Sequence, residues 1–303
     1  MSIDIASLRQ QLPWSISGRP ALAAHRRTLA LVWRDGDDGR LWMAHGMNDQ
    51  LSNAEATEIP FEYRDAPTDP AMATQDDGAV VVAWAEPQSE TIQVLSLARS
   101  TEFRFHALVN VEPAHPPALC YGGWKLLVGW TDRHGRVWLA SMSRNRWAEP
   151  ILIDEAIATG PPALAANANQ VWVAWTGRDG SLMVASNRVG RSFESRVRHD
   201  AHPTGPPALA MHRSAPAAAW IEDDVLRVVE SANDFALTSE PEVPCVASSG
   251  PALASNGRDL FVAWTSAEEP GAITMTQPTR IRPDLQSEFV FHGNTVRYDP
   301  SLP

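Results

Sequence analysis

Residues 162–182 read PALAANANQVWVAWTGRDGSL. A short apolar run from Ala163 is followed by Asn167, Ala168 and Asn169, which suit a turn. A β-branched and aromatic run then ends at Trp175. Thr176-Gly177-Arg178-Asp179-Gly180 separates it from a second apolar run that begins at Leu182. Asp-Gly between apolar runs is a strong hairpin signal, because both turn positions accept positive φ. The stretch predicts three successive antiparallel strands, and a fourth follows in the neighbouring repeat at residues 147–153.

The pattern recurs along the chain. Pro-Ala-Leu, or Pro-Ala-Met once, stands at Pro20, Pro70, Pro117, Pro162, Pro207 and Pro251, at spacings of 50, 47, 45, 45 and 44 residues. Thirteen or fourteen residues after each Pro comes a Trp: Trp33, Trp84, Trp130, Trp175, Trp220 and Trp264. The residue before that Trp is Ala or Gly in five copies and Val32 in the other. A period of this length with about four short strands per repeat predicts an all-β fold, a six-bladed β-propeller with four-stranded antiparallel blades. One aromatic at the same strand position of every repeat, beside a small neighbour, is what blade-on-blade packing requires. The expectation is one propeller across residues 1–303. Its sixth blade would be completed either by residues 11–17 or by residues 289–298.

Of the 303 residues, 44% are apolar and 20% are charged, enough apolar material for a sizeable core. The formal net charge of −11 argues against a nucleic-acid partner, which needs clustered cations. No apolar run approaches the roughly 20 residues of a membrane span. Residues 1–12 lack the basic start and apolar stretch of a secretory signal, so a cytoplasmic protein, or one released without such a signal, is expected. Cys120 and Cys245 are too few for a disulfide framework.

Propeller topology sorts the loops into two faces. The connections after the repeated Trp carry twelve acids against five bases. The opposite face collects Arg26, Arg27, Lys125, Arg213 and Arg258 against Asp76, Asp77 and Asp259, and adds Arg144, Arg146, Arg188 and Arg191, so it is mildly basic. The acidic face could bind sugar hydroxyls, a cationic partner or a metal, and solubility alone would also account for it. Asp132, Arg133 and His134, with Arg178 and Asp179, are the candidate hydroxyl-binding residues, since Arg and carboxylate groups present fixed hydrogen-bond pairs to vicinal diols. Trp42 and Trp138 share one third-strand position that is aliphatic or polar in the other copies, and offer stacking surfaces. No cofactor is expected. A divalent metal on His115, His134, His199 and His202 is the one alternative, although no His-x-His or His-x-x-x-His spacing supports it.

The repeated Pro-Ala-Leu-Ala, Val-Ala-Trp-Thr and Asp-Gly-x-Leu elements resemble lectin-like β-propellers over residues 20–276. These include the six-bladed fucose-binding lectins and the wider sialidase-like superfamily. The resemblance implies carbohydrate as the ligand, held between blades by an Arg, a Glu and an aromatic residue. The sialidase Asp-box has the form Ser-x-Asp-x-Gly-x-Thr-Trp. Its nearest counterparts, Thr131-Asp132-Arg133-His134-Gly135 and Thr176-Gly177-Arg178-Asp179-Gly180, place Arg at the position of the Asp. A carbohydrate-binding role is therefore the leading expectation. A hydrolase or metal-assisted enzyme on the acidic face is a second, and a protein-interaction scaffold a third.

Overall fold

The computed structural model describes residues 10–47, 51–60, 67–75, 77–86, 90–97, 103–188, 193, 195–230, 243–269, 271–277, 289–292 and 295–298. Strand β1 (Gln10–Ser15) precedes the first repeat. The first blade is β2 (Ala21–His25), β3 (Thr28–Arg34), β4 (Leu41–Met47) and β5 (Ala56–Glu58). The second is β6 (Ala71–Thr74), β7 (Val80–Glu86), β8 (Thr91–Leu97) and β9 (Phe103–Val109). The third is β10 (Ala118–Gly122), β11 (Lys125–Thr131), β12 (Arg136–Ser143), β13 (Arg146–Trp147) and β14 (Ile151–Ile157). The fourth is β15 (Ala163–Ala166), β16 (Gln170–Thr176), β17 (Leu182–Arg188) and β18 (Ser195–His199). The fifth is β19 (Ala208–His212), β20 (Ala215–Glu222), β21 (Val225–Glu230) and β22 (Val243–Pro244). The sixth holds β23 (Ala252–Ser255), β24 (Leu260–Thr265) and β25 (Ala272–Thr276). Strands β26 (Phe289–His292) and β27 (Thr295–Tyr298) form their own two-stranded sheet.

Each blade is an antiparallel meander, and the innermost strands touch in a closed cycle: β2, β6, β10, β15, β19, β23 and back to β2. The fold is a six-bladed β-propeller. Strand β1 closes it, pairing with β25 through Gln11 opposite Thr274 and Leu12 opposite Ile273. Of the two segments that the sequence offers for closure, the structure uses the N-terminal one.

The core consists of six apolar clusters, one between each pair of neighbouring blades. Every repeated Trp joins the cluster shared with the preceding blade. The residue just before it points, by strand alternation, to the following blade. A Cβ on Gly129 would lie 3.1 Å from Cδ1 of Leu164, the Leu of the next Pro-Ala-Leu. The small residue is thus the socket for the neighbour's Leu. Val32, the one larger residue here, shares its cluster with Met72, the one Met of the triplets. Met is unbranched and adapts to an irregular space.

Backbone bonds repeat with the blades. The amide of Ser17, Thr68, Ala114, Thr159, Thr204 or Ser248 donates to the carbonyl that follows the blade's own Trp, at 2.8–3.1 Å. In three blades the residue after the Trp is a Thr whose hydroxyl donates to a Gly carbonyl of the next blade. These bonds run from Thr131 to Gly160, from Thr176 to Gly205 and, across the closure, from Thr265 to Gly18.

The Gly129–Leu164 socket predicts a coupled effect. Gly129→Val should destabilise by about 1–3 kcal/mol in urea unfolding, because the added carbons overpack the cluster. In a double-mutant cycle, Leu164→Ala should recover part of that loss; strictly additive effects would contradict the socket.

Candidate functional site

The turn between β11 and β12 carries the expected Asp132, Arg133 and His134, and β12 carries Trp138. Asp132 is only 4% exposed. Its Oδ1 accepts the amides of His134 (2.8 Å) and Arg136 (2.9 Å). Its Oδ2 accepts Nε of Arg136 (2.7 Å) and Nε1 of Trp138 (2.9 Å). Burial by itself would raise the Asp132 pKa, but these bonds, led by the Trp138 indole, together hold the carboxyl below its usual value. Trp138 is half-buried. It stacks on Trp130 with ring centroids 6.3 Å apart, and the Arg136 guanidinium lies 5.5 Å from its centroid. Asp132 and Trp138 are thus bonded to one another and built into the turn. Arg133 and His134 are exposed, and Arg133 lies 3.8 Å from Glu90 of the second blade.

Arg178 and Asp179 occupy the matching turn of the fourth blade, and both are exposed. Asp179 accepts the Ser181 amide (3.1 Å) and hydroxyl (2.6 Å). Trp42 sits in the first blade, with the second blade between it and the third. It lies opposite Trp33, which stacks on Trp14 at 4.7 Å. The structure therefore brings Asp132 and Trp138 together and leaves Trp42 two blades away.

The four histidines do not meet. His115 is half-buried ahead of Pro116, and burial lowers its pKa. His134 tips an exposed turn, and His202, also exposed, lies 3.8 Å from Asp200. The side chain of His199 lies outside the described residues. Among the described residues, no group of three or more His, Cys, Asp or Glu is placed to hold a metal ion, and no helix is long and apolar enough to cross a membrane.

The Pro-Ala-Leu triplets line the central channel, and Arg19 lies among them. Its guanidinium donates to the carbonyls of Pro251 (2.6 and 2.9 Å) and Pro207 (3.0 Å), while its amide donates to Asp69 (2.9 Å). Burial lowers the Arg19 pKa to about 10 against the pull of Asp69, and burial likewise raises that of Asp69. The channel's free volume is about 80 Å3, far below the 300 Å3 or more of ordinary ligand sites.

A larger opening, about 470 Å3, lies between the third and fourth blades. Leu127, Leu139, Ile151, Leu152, Val171 and Phe193 give it apolar walls. Lys125, Ser141, Glu149, Asp154 and Asn187 supply polar groups. Its origin is a break in the repeat. The sequence predicts one outer strand over residues 147–153, whereas the structure divides it into β13 and β14. Ala148 still donates to the Ser141 carbonyl of β12 (2.8 Å), but Pro150 has no N–H for the ladder, and residues 149–150 leave it. Strand β14 then pairs with β12 in shifted register, and Glu155 takes φ +53°. Sequence reading missed this groove. Glu149-Pro150 in the middle of an outer strand was the available signal.

No protein-family model matches the chain, and no curated protein matches it either. Solved structures do. A six-bladed lectin from Aleuria aurantia, with a fucose recognition mode described as novel, is 13% identical. Its TM-score is 0.62, over 88% of this chain and 93% of the lectin. AofleA from Arthrobotrys oligospora is 12% identical (TM-score 0.61, 86% of this chain, 83% of that one). A Dyadobacter fermentans protein of unknown function is also 12% identical (TM-score 0.61, 89% and 98%). At such identities the likeness is one of fold.

Asp132→Ala should destabilise by about 2–3 kcal/mol, since it strands several buried donors. Arg133→Ala should stay within about 0.5 kcal/mol. The Asp132 contribution is fully present above the unfolded carboxyl value of about 3.9 and is lost as pH falls through the lower folded value. Unfolding of Asp132→Asn should accordingly be less sensitive to acid than that of the parent protein. Equal acid sensitivity would count against this role.

Proposed function

We propose that this propeller is a lectin-like protein that binds carbohydrate in the groove between its third and fourth blades. The observation that carries the reading is the groove itself. It is open, of ligand size, and walled by apolar side chains that alternate with hydroxyl, amide, amine and carboxylate groups. A sugar ring has the matching character. Its C–H faces lie against apolar walls, Phe193 among them, and its hydroxyls need several fixed donors and acceptors. The fold supports the same reading, because the Aleuria aurantia structures are of a fucose-specific lectin, and the SapL1 lectin, whose fold this chain also resembles, was solved with α-methyl fucoside.

The acidic-face turns give a second place for the same chemistry. Arg133 and Arg178 occupy equivalent exposed positions on adjacent blades, with Asp179 beside the latter. Asp132 and Trp138 would act there as supports for Arg133 and His134 rather than as ligand contacts, because their polar atoms already bond one another.

Calorimetric titration with fucose, galactose and their methyl glycosides separates the two places. Binding should saturate at one site per chain, since the split outer strand that opens the groove belongs to the third blade. Ser141→Trp, which fills the groove, should abolish binding with the melting temperature shifted by a few degrees at most. The pair Arg133→Ala and Arg178→Ala should bind normally. The reverse outcome would move the site to the acidic face.

A further inference from the structure

We propose that the carbohydrate of this groove is acidic, bearing a carboxylate or sulfate that docks at the groove's β10–β11 end. The proposal rests on the reading of the groove as a sugar site. Lys125 and Leu127 are two apart on β11 and both line the groove, so both project from one sheet face. Ser141 lies opposite Leu127, and continuing that register sets Ser143 opposite Lys125. Ser143 pairs in turn with Arg146. Arg146 is also two residues from Ala148, another lining residue. Lys125, Ser143 and Arg146 thus form one cross-strand row on the groove's own face, an amine and a guanidinium flanking a hydroxyl. Among the described residues, neither cation has a salt-bridge partner.

Trp124 completes this end. It stands between the lining residues Gly122 and Lys125, next to Gly123 at φ +62°, and is 93% exposed. A Trp so exposed adds nothing to the core and presents its face to whatever leaves the groove here. The hairpin tip opposite, Arg144 and Asn145 with φ of 50° and 61°, adds a third exposed cation.

The carboxylates give the groove direction. Asp154 follows Leu152, which pairs with Trp138, so it lies toward the acidic face. Glu149 adjoins Ala148 on the rim, midway along. An anionic group is repelled from both and attracted to the Lys125–Arg146 end, where the guanidinium can hold a carboxylate or sulfate with two bonds.

The test uses matched pairs: an oligogalacturonate with its methyl ester, and a sulfated fucose oligomer with its desulfated form. Affinities are measured by calorimetry in about 0.05 M salt and again in about 0.5 M. The acidic member of at least one pair should bind about tenfold more tightly than its neutral twin, and the salt should remove most of that difference. The pair that responds identifies carboxylate or sulfate. Arg146→Ala, outside the groove lining, should narrow the gap between the two members while leaving neutral binding and the melting curve unchanged, and adding Lys125→Ala should bring the two members within about twofold. Trp124→Ala should weaken both members alike. If neutral members bind as well as acidic ones, or if the preference survives the double substitution, the inference is overturned and the sugar-site reading stands. If no member of either pair and no simple sugar binds, both fall.

Discussion

The structure depends on one contact repeated around the ring, a small residue on one blade receiving the Leu of the next. A four-stranded sheet has two faces, and in this ring each face lies against a neighbour. Every blade therefore turns a Trp toward the blade before it and a socket toward the blade after it. A fully buried Trp removes roughly 150–250 Å2 from water, about 4–6 kcal/mol as an upper bound at 25 cal/mol per Å2. That gain is available only if the neighbouring Leu can seat, which is why Ala or Gly precedes the Trp. Where Val32 narrows the socket, the triplet changes from Leu to Met72.

A ring of this kind must also close, and closure determines where a ligand can go. Strand β1 supplies the last outer strand, and Ile16 and Gly18 tie the first blade to the sixth through Gly271 and Thr265. The next residue, Arg19, then turns into the channel and bonds the carbonyls of the fifth and sixth repeats. Gly18 has φ +85°, and a Cβ there would lie 2.0 Å from the Asp69 carboxylate, so any other residue would be strained and would displace that carboxylate. The closing segment occupies the axis of the propeller. The spaces left for a ligand are therefore off the axis, between blades or among the loops.

Most of the ring was legible in the sequence because its determinants are local and repeated. Trp spacing, Asp-Gly turns and the triplets specify blade number, strand order and the inward edge. The closing segment was ambiguous for a physical reason: residues 11–17 and 289–298 both alternate as outer strands should, and only tertiary pairing decides between them. The site was less legible. Asp132 and Trp138 stand out as a polar residue and an irregular aromatic in a regular frame. Such residues suggest ligand contact until the Trp138 indole is seen to donate to Asp132 Oδ2. From sequence, a residue that binds a ligand and one that stabilises its own turn have the same signature.

The groove shows where a functional site can arise in a repeat protein. Identical blades give identical inter-blade seams, each filled by the same Trp, Leu and small residue. An opening of ligand size needs a departure that enlarges one seam without loosening the interlock beside the axis. Pro150 does this at the outer edge, between the two pieces of the outermost strand. It removes one ladder donor, splits the outer strand and exposes Ile151 and Leu152. The core between β10 and β15 keeps its packing, and Leu127, Leu139 and Val171 belong to that core while also walling the groove. The groove's charged residues lie outside the core, so charge can vary along it, with Lys125 and Arg146 at one end and Asp154 at the other. None of these side chains takes part in holding one blade against the next.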